Sequence, residues 1–136
     1  MLCAEKYSKH ASSAKDSQLS KLFNELSAVE QNHYNMLCSL EKGRVPKTQS
    51  GNQSSGKKQK TFKATYTARE TKDKKNDAYL CNDLLAAEKQ ASGLYNTCVF
   101  EFTDHNARKL LNQIQGQEQH HGKFIYDYMS ANSMQG

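Results

Sequence analysis

The sequence predicts an all-α fold of four helices, arranged as two copies of one helical hairpin. Three observations carry this reading. Apolar residues recur at 3-4 spacing over two long stretches, and the stretch between them loses that periodicity. The second stretch also repeats the first without a gap, so that Tyr7 aligns with Tyr95, Asp16 with Asp104, Leu22 with Leu110 and Asn24 with Asn112.

The elements follow in order. Residues 2–15 read as a first helix, with Cys3, Tyr7, His10 and Ala14 on one stripe. Asp16 is a natural N-cap for a second helix over 18–42, whose stripe runs through Leu19, Leu22, Leu26, Leu37 and Leu40. Gly43 and then Pro46 are stop signals. Residues 44–75 fill with Gln, Ser, Gly and Lys and hold ten Lys/Arg against Glu70 and Asp73. They read as a basic, flexible crossover linker, with short local order around Phe62 to Tyr66. A third helix over 77–102 carries Leu80, Leu84, Ala91, Tyr95, Cys98 and Phe102. Asp104 caps a fourth over 105–132, with Leu111, Ile114, Ile125 and Tyr128 inward. The chain is thus expected to form a single domain over 1–136: a hairpin over 1–43, the linker over 44–75 and a hairpin over 76–133. A helix of about 25 residues is roughly 37 Å long. Extended chain covers about 3.3 Å per residue, so the linker can run the length of the bundle with slack.

Composition narrows the function. The net charge is +5, but the excess sits in the linker and the rest is slightly acidic. Lys-rich linkers are usually only solvated, and beyond Phe62 and Tyr66 no aromatics interleave the charges, so nucleic-acid binding is not expected. No run of 18 apolar residues spans a membrane, and the start MLCAEKYSKH is not a signal peptide. The four cysteines show neither metal-motif spacing nor disulfide density, and read as reduced core residues.

The inward stripes are apolar except at one level. Glu30 and His33 interrupt the second helix, Glu118 and His121 the fourth, and Glu88 the third. The first four form two Glu-x-x-His tetrads that occupy equivalent positions in the repeat. Residues i and i+3 share a helix face, so both can reach one ion. Two facing tetrads with a glutamate from each neighbouring helix are the ligand set of a dinuclear centre in a ferritin-like four-helix bundle. Buried carboxylates without counter-charge are costly. Glu30, His33, Glu88, Glu118 and His121 are therefore expected to bind metal. The donors suit two ions of iron or manganese, with zinc compatible. The alternative is an inherited bundle without metal, its polar core satisfied by hydrogen bonds and water. The repeat places the partner of Glu88 one residue before Met1, and three readings stay open: five protein ligands, a chain lacking its natural first residues, or a lost metal; Glu5 points roughly 140° away by helical geometry. His10 reads as a hydrogen-bonded core histidine, His105 and His120 as solvent-facing. Tyr7 and Tyr95 are expected in the core, about two turns from the metal level.

The segment NDLLAAEKQASGLYNTCVFEFTDHNARKLLNQIQGQEQHHGKFIYDYM resembles the Coat F domain of spore-forming Gram-positive bacteria. The matching features are Leu84-Leu85-Ala86-Ala87-Glu88-Lys89, Tyr95, the run from Asp104 through Arg108 to Leu111, and Glu118/His121. The first half, LCAEKYSKHASSAKDSQLSKLFNELSAVEQNHYNML, is similar to the N-terminal half of longer members. The resemblance implies a ferritin-like fold and a spore coat or coat-like structural protein, in the mother-cell cytoplasm or the coat. Other coat proteins or a second copy of the chain, as a homodimer, would be its partners. It implies no particular reaction. An iron or manganese oxidase, peroxidase or catalase, or an iron-binding protein, is the alternative that the tetrads themselves suggest.

Overall fold

A computed structural model describes residues 2–41, 43, 60–99 and 104–134, with side chains at 2, 3, 41, 92 and 94–100 excepted. Among the described residues the protein is all-helical, without strands. The helices are α1 (Leu2–Ser13), α2 (Ser17–Glu41), α3 (Lys72–Val99) and α4 (His105–Ala131). α1 packs mainly on α2 and α3 on α4, with smaller contacts between α1 and α3 and between α2 and α4.

The helix ends follow local chemistry. Asp16 caps α2 by accepting from the Gln18 N–H at 3.0 Å, and Asp104 caps α4 by accepting from the Asn106 N–H at 2.8 Å. Beyond α2, Gly43 adopts φ +78° and donates to the Leu40 carbonyl at 3.0 Å. That left-handed position favours a residue without a side chain. The expected stripe residues Tyr95, Cys98 and Phe102 lie outside the described side chains, as does the part of the linker over 44–59.

Two apolar clusters form the core. The larger draws on all four helices, with Tyr7, Leu19, Phe23, Leu84, Ile125 and Tyr128 among its buried members. The smaller joins Leu40 to Ala107, Leu110, Leu111 and Ile114. Each fully buried Leu, Ile or Phe contributes about 1.5–3 kcal/mol. Between the clusters along α2 and α4 lie Glu30, His33, Glu118 and His121, so one polar layer is bracketed by apolar packing on both sides.

Part of the expected linker belongs to this core. α3 begins at Lys72, five residues earlier than the periodicity suggests. Residues 60–71 are non-helical, as expected, but they are pinned. Phe62 packs edge-on against Tyr128 at 5.7 Å. The buried Asn132 side chain accepts from the Thr65 and Tyr66 N–H groups at 2.7 and 2.9 Å. The Tyr66 hydroxyl donates to Asp77 at 2.7 Å. Asp77, fully buried, also accepts from the Lys15 and Asp16 N–H groups at 2.8 and 2.9 Å. Asp16 in turn accepts from the Tyr128 hydroxyl at 2.7 Å. The network ties the α1–α2 turn, α3, the end of α4 and the strap over 60–71 into one closed end.

Replacing Asn132 by Ala leaves two strap N–H groups without their acceptor. The expected cost is about 2 kcal/mol, seen as a lower urea midpoint at unchanged slope; an unchanged midpoint would mean that the strap contributes nothing to stability.

Candidate metal centre

The five residues singled out in the sequence meet at one place. Glu30 and His33 come from α2, Glu88 from α3, Glu118 and His121 from α4. All five are buried: Glu30 and His33 fully, Glu118 to within 1%, Glu88 and His121 to within 4%. The tetrads interlock across the helix pairs. The His33 Nδ1 lies 2.8 Å from Glu118 Oε1, and His121 Nδ1 lies 3.0 Å from Glu30 Oε1. Each histidine also sits 3.7 Å from the glutamate of its own tetrad, and His121 Nδ1 is 3.7 Å from Glu88 Oε1. The two imidazoles stack with centroids 6.0 Å apart. Both Nδ1 atoms therefore point at the carboxylates.

These contacts leave a remainder. Glu30 Oε2, Glu88 Oε2 and Glu118 Oε2 are buried and have no hydrogen-bond partner. A buried acceptor without a donor costs about 1–3 kcal/mol, more when charged. Each carboxylate thus uses one oxygen on a protein group and holds the other bare. Glu30, Glu88, Glu118 and His121 can each offer one ligand atom with all four atoms within 4.8 Å of one another. Hard oxygen donors and imidazole at this spacing fit one divalent or trivalent first-row ion; His33, the fifth residue the sequence suggests, lies outside this set of four.

The electrostatics reflect the crowding. Burial raises the Glu118 carboxyl far above the usual carboxylate range, and the neighbouring Glu88 and Glu30 push it further. Burial works against charge on Glu30 as well, but hydrogen bonds with His121 and His33 outweigh it and hold that carboxyl well below its usual range. His121 is pushed up to about 9: burial opposes the charge, while Glu30 and Glu88 stabilise it more strongly. Without an ion, one shared proton and one imidazolium partly neutralise the cluster.

Two further residues reach the site that the sequence reading placed elsewhere or passed over. Tyr7 lies in the site, not two turns from it: its hydroxyl donates to Glu88 Oε1 at 2.5 Å, and its ring stands edge-on to His121 at 6.5 Å. A helical side chain leans toward its own N-terminus, so Tyr7 covers the turn before it. Burial and the adjacent Glu88 carboxylate raise its phenol. The second residue is Gln117, whose Oε1 accepts from His33 Nε2. That bond fixes the ring and presents Nδ1 to the carboxylates, the orientation that a metal-binding imidazole requires. The repeat held a signal for it, because Gln117 stands where the first copy has the apolar Val29.

The other histidines and Glu5 stay apart from the centre. His10 Nε2 pairs with Asp83 Oδ2 at 2.8 Å, as expected of a hydrogen-bonded core histidine. Glu5 and His105 are exposed, and His120 packs beside Phe124. Cys38 and Cys81 are free thiols, and neither belongs to the cluster.

Fold and site define the class: an all-helical protein with a buried carboxylate–histidine cluster. Within it, residues 76–135, which cover most of α3 and all of α4, match the family model of the Coat F domain. That segment is thus similar to the Coat F domain, and it includes Glu88, Glu118 and His121. No curated protein and no solved structure matches the chain. No helix among the described residues is long and apolar enough to cross a membrane.

The raised Glu118 carboxyl sets a pH prediction for metal-free protein. A folded-state pKa above the unfolded value gives stability that is present below about pH 4.3 and lost as pH rises. Glu118→Gln removes this loss and keeps an acceptor for His33. After chelation, the variant is expected to match the parent near pH 4 and to exceed it by about 1 kcal/mol or more at pH 7, read by urea unfolding at both pH values. A variant less stable at pH 7 would contradict this charge assignment.

Proposed function

We propose that the protein is a ferritin-like four-helix bundle, built from a repeated hairpin, that holds two iron or manganese ions in its core. We place it as a spore coat or coat-associated component that packs against other coat proteins or a second copy of itself. The observation that carries the metal reading is the set of three buried carboxylates, each with one oxygen lacking a hydrogen-bond partner, in a cluster where Glu30, Glu88, Glu118 and His121 can bring ligand atoms within 4.8 Å of one another. Hydrogen bonding satisfies the other oxygens but not these, which a purely structural polar core would have to leave at a cost. The coat assignment rests on the Coat F match over 76–135.

In this reading Glu30, His33, Glu88, Glu118 and His121 would hold the ions. Iron or manganese held there would supply redox and Lewis-acid chemistry. Tyr7 holds Glu88 by one oxygen and leaves the other for an ion, while Gln117 holds His33 in register. A second reading, an oxidoreductase using the same ions, is favoured by the slight exposure of Glu88 and His121 beside the sealed Glu30 and His33. One edge of the centre thus reaches solvent. Consumption of dioxygen or peroxide by the loaded protein, lost in Glu88→Ala, would separate it from a structural role.

Elemental analysis of protein purified from iron- and manganese-supplemented culture tests the metal reading. Two ions per chain are expected, and their loss in Glu30→Ala and Glu118→Ala. Folded protein carrying no metal after such growth would overturn it.

A further inference from the structure

The centre is closed on the α2 side and touches solvent between α3 and α4. A groove of about 360 Å³ lies there, with Glu88 and Glu118 in its lining. Leu85 and Gly122 form its walls, and Lys89 and Lys123 stand exposed at its rim. Gly122 immediately follows His121 on α4. It has an ordinary helical backbone, and a Cβ there would meet only Leu85 Cδ2, at 3.9 Å. Glycine within a helix costs about 1 kcal/mol against alanine. Neither backbone conformation nor close packing calls for it here, and what its missing side chain leaves is room in the groove.

We propose that this groove is the entry route and binding place for a small anion, which reaches the ions beside Glu88 and Glu118. The inference rests on the metal reading above and adds a ligand class to it. The chemistry argues for such an occupant. Glu88 and Glu118 are the buried polar residues of the lining; their charge would repel an anion from the empty site and would be offset once ions are held there. The ammonium groups of Lys89 and Lys123 draw anions to the rim, with Lys123 partly offset by its pair with Asp127 at 2.8 Å.

Azide is the probe, and its association with iron-loaded, air-oxidised protein is read from the charge-transfer absorbance. Three measurements are made together: iron per chain, the urea midpoint, and the azide association rate. Gly122→Leu is expected to keep the iron and the fold while slowing azide by about tenfold, equivalent to roughly 1.4 kcal/mol on the entry barrier. Gly122→Ala, whose Cβ fits, is expected to stay near the parent rate. Lys89→Glu with Lys123→Glu changes only exposed side chains. It is expected to slow azide at low salt, with the difference vanishing at high salt. Iron retained in both Gly122→Leu and the double variant, with azide rates unchanged, would overturn the groove as the route and leave the metal reading standing. Parent protein without iron would overturn both, and the iron measurement tells the two failures apart.

Discussion

Three carboxylates and two imidazoles share one buried layer, and the rest of the structure is arranged around the need to neutralise them. The crossed pairs His33–Glu118 and His121–Glu30 join α2 to α4. Removing a charge from water costs several kcal/mol even after relaxation. Such a layer persists only if each charge has partners and the helices hold them in place. The apolar clusters above and below the layer do the holding, and the two histidines with Tyr7 partner half of the carboxylate oxygens. The other half has no hydrogen-bond partner.

One end of the helical core and its central layer are built differently. At one end Asp16 and Asp77 collect the α1–α2 turn, Tyr66, Tyr128 and the strap into a network in which the donors and acceptors are matched. At the central layer the acceptors outnumber the donors. A matched network stiffens a fold, while an unmatched one with a solvent edge is where a ligand can be taken up. The contrast within one protein sets a satisfied polar network beside a cluster with unsatisfied buried acceptors.

Much of this was legible in the sequence. The tetrads lie on helical stripes, so their burial followed from periodicity, and the repeat paired Glu30 with Glu118 and His33 with His121. Asp16, Asp104 and Gly43 marked helix ends because capping is local chemistry. Tyr7 was misplaced because counting residues along α1 fixes its Cα, whereas the direction of a helical side chain sets where its hydroxyl lands. The strap over 60–71 was only partly legible. Its composition is that of a solvated linker, and the contacts that pin it, from Asn132 and Asp77, come from residues more than ten positions away. Gln117 left only a faint signal, its mismatch with Val29 in the repeat, because no periodic rule distinguishes a polar residue at a helix margin from one bonded to a buried ring.

The central claim is that the bare oxygens of Glu30, Glu88 and Glu118 face metal. An anomalous difference map collected at the iron or manganese edge, on crystals of protein grown with the metal, tests it most directly. The account predicts two peaks about 3.5–4 Å apart, flanked by Glu30 and Glu118 with the Nδ1 atoms of His33 and His121 directed at them. A map without peaks, with the carboxylates instead bonded to ordered water or to one another, would contradict it.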